Sequence, residues 1–141
     1  MRSLLDATVL IALLDQQHLF HARAWAWLTG AVTDGWASCP ITQASFVRII
    51  SHPRYPGAVT TPRAIAMLAG ATGDPSHEFW PDDLSLSDPA IDRSRLLGSG
   101  QLTDAYLLAL AVAHSGQLVT FDRDIDLSVV PAAVPANLFV L

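Results

Sequence analysis

At 141 residues the chain falls in the usual size range of one domain, read here as 1–141, and is long enough to bury most of the apolar surface its unfolded form exposes. Hydrophobic residues make up 51% of it, yet the longest apolar runs, Val9 to Leu14 and Tyr106 to Ala113, fall well short of the roughly 20 residues of a membrane span, which excludes a helical membrane protein. The net charge is -5, all eight cations are Arg and Lys is absent, so the chain lacks the basic stripe that drives non-specific nucleic-acid binding. Charge does not exclude a polynucleotide handled through carboxylates and divalent cations, however, and twelve of the thirteen acids are Asp. Asp6 interrupts the first hydrophobic segment, so no secretory signal is expected. A lone Cys39 fits a reducing, cytoplasmic setting.

In chain order, Ser3 to Leu5 reads as a short strand ending at Asp6, after which Val9, Leu10, Leu13 and Leu14 recur at helical spacing. His18 to Ala31 carries Phe20, Ala24, Trp25, Trp27 and Leu28 and reads as a second helix, followed by an Asp34-Gly35 turn. Trp36 to Cys39 is a strand. Pro40 suits the first turn of a helix running to Ile50, because its missing N–H is not needed there. Pro53 to Thr61 is a loop, and Pro62 opens another helix to about Ala71. Glu78 to Trp80 reads as a strand, Asp82 to Pro89 as a polar connection, and Ala90 to Leu96 as a short helix. Thr103 to His114 is the clearest helix, bounded by Gly98 and Gly100 before it and Gly116 after it. Gln117 to Phe121 and Leu138 to Leu141 are the last strands. Short strands alternating with longer helices predict an α/β fold, a mostly parallel central sheet flanked by helices on both faces.

Three aspartates hold equivalent places in that arrangement. Asp6 ends the first strand, Asp104 opens the strongest helix, and Asp122 follows the strand Leu118 to Phe121. The carboxyl ends of parallel strands line the ligand crevice of such sheets, so residues distant in sequence converge there. Each also has a structural reading: Asp6 as a helix cap, Asp104 as a complement to the helix macrodipole, Asp122 as a turn residue. Several carboxylates in one crevice raise one another's pKa unless a cation neutralises them. Mg²⁺, or Mn²⁺ in its place, prefers such oxygen ligands and can activate water against a phosphodiester, so phosphodiester hydrolysis is the chemistry expected.

The segments Leu4-Leu5-Asp6, Cys39 to Ile49, Leu102 to Ala111 and Thr120-Phe121-Asp122-Arg123-Asp124, in that order, resemble the signatures of PIN-domain nucleases, in particular the VapC-like toxins of bacterial toxin-antitoxin pairs. The resemblance spans essentially the whole chain. It implies a PIN-like three-layer fold and a magnesium-dependent endoribonuclease acting on RNA, a homodimer restrained by a VapB-like antitoxin. It makes Asp6, Asp104, Asp122 and Gln43 the candidate catalytic residues, and Asp6, Asp104, Asp122 and Asp124 the candidate metal ligands. Gln43 departs from the family, which commonly has Glu there; its carbonyl can still orient a metal-bound water, without the attraction of a charge. A polar residue on a solvated helix face is the other reading of Gln43, and a non-catalytic PIN-like domain that binds RNA or protein through a degraded site is the other reading of the chain. Arg48, one helical turn beyond Gln43, reads either as a phosphate contact or as a surface Arg. A receiver or phosphatase domain is disfavoured by the absence of Lys and by the lateness of Asp122-Arg123-Asp124.

His18, His21, His52, His77 and His114 show no zinc spacing and read as surface or loop histidines. Trp25, Trp27, Phe20 and Leu28, with Ile65, Met67 and Leu68, exceed what one face of each helix buries. Core packing accounts for most of them, and a partner lying along the Trp25–Trp27 helix would use the same residue types.

Overall fold

The computed structural model describes residues 1–31 and 33–141. Strands β1 (Ser3–Leu5), β2 (Trp36–Ser38), β3 (His77–Phe79), β4 (Gln117–Thr120) and β5 (Leu138–Val140) form one sheet in the order β3-β2-β1-β4-β5. Every neighbouring pair is parallel, so the sheet is fully rather than mostly parallel. Strands β1 and β2 are buried at every residue, as expected where helices cover both faces of a parallel sheet.

The helices are α1 (Ala7–Leu14), α2 (His21–Ala31), α3 (Pro40–Ile50), α4 (Thr61–Thr72) and α5 (Leu102–Ala113). On one face α5 packs Leu107, Leu108 and Leu110 against Leu4, Ala37 and Leu118. On the other, α1 to α4 bring Leu10, Trp27, Phe46 and Leu68 against Leu5, Trp36 and Val119. These two cores on either side of the sheet make the three layers. No helix among the described residues is long and apolar enough to cross a membrane.

Local chemistry sets the element boundaries. Helix α2 begins at His21 rather than at the expected His18, because the His18 ring accepts the Phe20 N–H at 3.0 Å and holds that stretch as a turn. The expected helix from Ala90 to Leu96 is absent. Only a 3₁₀ turn, Arg93–Arg95, forms there. Asp88 and Asp92 accept the backbone N–H groups of Ala90 and Ser94, while the Asp92 N–H itself bonds the carbonyl of Val129, in the 3₁₀ turn Leu127–Val129, at 2.8 Å, so side chains and a distant turn take the groups a helix would use. Between α5 and β4, Gly116 is required by close approach: a Cβ there would lie 2.6 Å from the Trp80 ring and 2.7 Å from the Arg2 carbonyl oxygen.

The chain order places the crevice. From β1 it moves outward to β2 and β3, then returns across the sheet to β4 on the opposite side of β1. Carboxyl ends of β1 and β4 therefore flank the topological switch point, where parallel α/β sheets bind ligands.

Candidate active site

Asp6 sits directly after β1, in extended conformation at the N-cap of α1, and its Oδ1 accepts the Ala7 N–H at 2.7 Å. The capping role weighed from the sequence is real. Its other oxygen faces across the switch point and accepts hydroxyls from Thr120 at 3.0 Å and Thr8 at 3.2 Å. Thr120, the fully buried last residue of β4, also accepts the Asp122 N–H at 3.0 Å. One hydroxyl thus ties the first carboxylate to the loop bearing the third. Sequence reasoning passed over Thr120; the signal was a polar residue ending the otherwise apolar run Leu118-Val119.

Asp104 occupies the first turn of α5. There a helix macrodipole alone would favour its ionised form. Instead its pKa is pushed up to about 6, first by burial, then by the charges of Asp6 and Asp122, and by a hydrogen bond in which protonated Asp104 donates to Asp122. Asp104 therefore neighbours both Asp6 and Asp122, and its surroundings resist its own negative charge. Asp122 is exposed and its Oδ1 accepts the Asp124 N–H at 2.8 Å, so the turn role also holds. Asp124 enters through that backbone group alone; its exposed side chain has no hydrogen bond among the described residues.

Gln43 lies in the first turns of α3 at the same edge of the sheet, half-buried, and its Nε2 donates to Ser38 Oγ at 2.9 Å. Ser38, the buried last residue of β2, is in turn 2.8 Å from His77 Nε2. No hydrogen bond joins the Gln43 side chain to the aspartates among the described residues. Arg48 is exposed on α3. His77 is not a loop histidine as expected: it lies in β3, half-buried, its ring 4.4 Å from that of Trp36, and burial first of all lowers its pKa. His114 likewise is not free on the surface but stacks on Trp80 at 4.4 Å.

A further carboxylate stands at this edge after β3, in the stretch read only as a polar connection. Asp82 buries an Oδ1 that has no hydrogen-bond partner. Its charge faces Tyr106 and Cys39, whose thiol is pushed up to about 11, mainly by burial.

The donor set is all oxygen, which suits a hard divalent cation. Among the described residues, however, no three His, Cys, Asp or Glu side chains already stand in metal-binding geometry. Both oxygens of Asp6 and one of Asp122 are engaged in the hydrogen bonds above. The electrostatics fit a cation; the present side-chain rotamers would have to turn to bind one.

A parallel α/β domain with an acidic crevice at its switch point defines the class of protein, and comparison with known proteins gives the family. Residues 3–130 match the PIN domain family. The chain is 56% identical to ribonuclease VapC44 of Mycobacterium tuberculosis over 100% of both chains. It is 46% identical to ribonuclease VapC39 of the same species over 86% of this chain and 89% of that one. Its fold resembles that in the crystal structure of Rickettsia felis VapBC2 bound to a DNA fragment from their promoter, with TM-score 0.64 and 12% identity over 100% of this chain and 99% of that one. It also resembles M. tuberculosis VapC20, described as a sarcin-ricin loop cleaving toxin, with TM-score 0.61 and 15% identity over 86% and 91%. The chain belongs to the PIN-domain family, among its VapC-like members.

Proposed function

We propose that this chain is a metal-dependent endoribonuclease, the toxin of a toxin-antitoxin pair, hydrolysing RNA phosphodiesters at the crevice between β1 and β4. The observation that supports this most strongly is the approach of Asp104 to both Asp6 and Asp122, which pushes it up to about 6 together with burial. Its full-length similarity to proteins named ribonucleases supports RNA as the polymer.

In this reading Asp6, Asp104 and Asp122 would hold Mg²⁺, or Mn²⁺ in its place, Asp6 and Asp122 giving up the cap and turn bonds they now make. Bound there, the cation supplies Lewis acidity toward the phosphodiester and a lowered pKa for an attacking water. Thr120 holds Asp6 and the Asp122 backbone in register. A cation in the crevice would relieve the repulsion that raises the Asp104 pKa and keep that carboxylate ionised. Asp124 and Gln43 act at the margin, Asp124 as an auxiliary carboxylate and Gln43 through a neutral carbonyl. The partners that follow are a VapB-like antitoxin and a second copy of the chain as a homodimer, in the cytoplasm.

A non-catalytic RNA- or protein-binding domain is the second reading. It is favoured by Gln43, which contributes no charge and is bonded to Ser38. Incubating antitoxin-free protein with RNA, with Mg²⁺ or with excess chelator, separates the two. Cleavage that needs the metal and is lost in Asp104→Asn supports the nuclease; binding without cleavage at any metal concentration supports the alternative.

A further inference from the structure

The direction of the hydrogen-bond chain from Gln43 through Ser38 to His77 has a chemical consequence. Ser38 is fully buried, so its hydroxyl has no water to turn to. Its oxygen lies 2.9 Å from Gln43 Nε2 and 2.8 Å from His77 Nε2. A hydroxyl has one proton to give, so its direction depends on which of its neighbours needs it. On the Gln43 side the amide N–H donates, so the Ser38 oxygen accepts there. The hydroxyl proton is left for His77 Nε2, the other hydrogen-bond neighbour of Ser38 Oγ among the described residues. Nε2 therefore accepts, and the neutral ring carries its proton on Nδ1. The Ser38 oxygen is left as an acceptor, which only the NH₂ end of the Gln43 amide can satisfy.

We propose that Ser38 and His77 are positioning residues that lock the Gln43 amide with its nitrogen turned inward and its carbonyl oxygen left free, as an acceptor at the carboxyl edge of the sheet. The relay suits Gln. A Glu at the same position accepts only, so the Ser38 hydroxyl would reverse toward it and His77 would have to carry a proton on Nε2. The role in cleavage rests on the reading of the crevice as a nuclease site; the direction of the relay does not.

Two measurements on the full chain test this. The first is the ¹⁵N NMR spectrum of the imidazoles at pH 7.5, with His77 assigned by the signal lost in His77→Gln. The wild type should show Nδ1 protonated and Nε2 bare, and Gln43→Glu should show a proton on Nε2. Wild-type His77 with its proton on Nε2, or a Gln43→Glu spectrum unchanged from wild type, would overturn the proposal without reference to activity. The second is metal-dependent RNA cleavage. Ser38→Ala should lower kcat about five-fold, the worth of one net hydrogen bond, while Ser38→Thr, which keeps the hydroxyl, should restore it. In a Gln43→Ala background Ser38→Ala should cost nothing more, since its effect passes through the amide. An equal loss in both backgrounds would mean that Ser38 acts only on the fold. A wild type that never cleaves RNA would remove the nuclease reading and with it the role in cleavage, leaving the NMR result to decide the relay.

Discussion

Replacing Asp104 by Asn should stabilise the protein while disabling it. Asp104 is held at about 6 against an ordinary 3.8. At pH 7.5 it is ionised both folded and unfolded, and the folded state bears the cost of burying that charge beside Asp6 and Asp122. Each pKa unit corresponds to about 1.4 kcal/mol, so a shift of this size sets a ceiling of about 3 kcal/mol. The side chain is partly open to solvent, and screening reduces the cost to about 1 kcal/mol. Asparagine keeps the shape and removes the charge. In chelator at pH 7.5, Asp104→Asn should therefore raise Tm by about 3 °C for a domain of this size. The pH dependence has a definite sign. A carboxyl whose pKa is raised on folding lets the native chain bind a proton before the unfolded chain does, so wild-type stability should rise as pH falls through about 6 toward 3.8, on top of the background from other groups. Asp104→Asn should lack that increment. Urea unfolding of both proteins across this window, in chelator, measures it; a variant less stable than wild type at pH 7.5 and sharing the same pH slope would refute the reasoning.

Thr120→Val removes the hydroxyl that donates to Asp6 and accepts from Asp122, inside a site with no solvent to replace it; denaturant unfolding should show a loss of about 1–3 kcal/mol, with cleavage reduced because two carboxylates lose their common anchor. The Trp25–Trp27 helix divides its labour: Trp27, 8% exposed and packed near Phe139, should cost about 3 kcal/mol or more as Trp27→Ala. Trp25, 42% exposed with its indole N–H on the Leu13 carbonyl, should cost about 1 kcal/mol as Trp25→Ala and weaken antitoxin binding in a titration if the antitoxin lies along α2; unchanged affinity would move the antitoxin off this helix. Mg²⁺ should raise the Tm of wild type and leave Asp104→Asn nearly unmoved, as thermal scans with increasing metal would record.

What the sequence disclosed followed from periodicity and punctuation. The Pro40 start of α3, the α5 run ending before Gly116 and the buried strands β1 and β4 are local signals, and the parallel order that brings Asp6 to Asp122 follows from alternating strands and helices. What it concealed depended on tertiary partners. Trp27 and Trp25 look alike in the sequence; only the packing of α2 against β5 and α1 makes one core and the other surface. Thr120 shows in the sequence only as a polar residue ending an apolar run, and its reach back across 114 residues to Asp6 comes from the pairing of β4 with β1. His77 read as a loop residue because its strand is three residues long, at the sheet edge, and paired only with β2. The helix expected at Ala90 to Leu96 failed where Asp88 and Asp92 hydrogen-bond their own backbone instead.

The most direct test of the central claim is cleavage of RNA by antitoxin-free protein, followed on a gel with Mg²⁺, with excess chelator, and with Asp6→Asn, Asp104→Asn and Asp122→Asn in place of wild type. Cleavage by wild type that requires the metal and is lost in each variant is the predicted result; cleavage that persists undiminished in chelator or in Asp104→Asn would contradict the account.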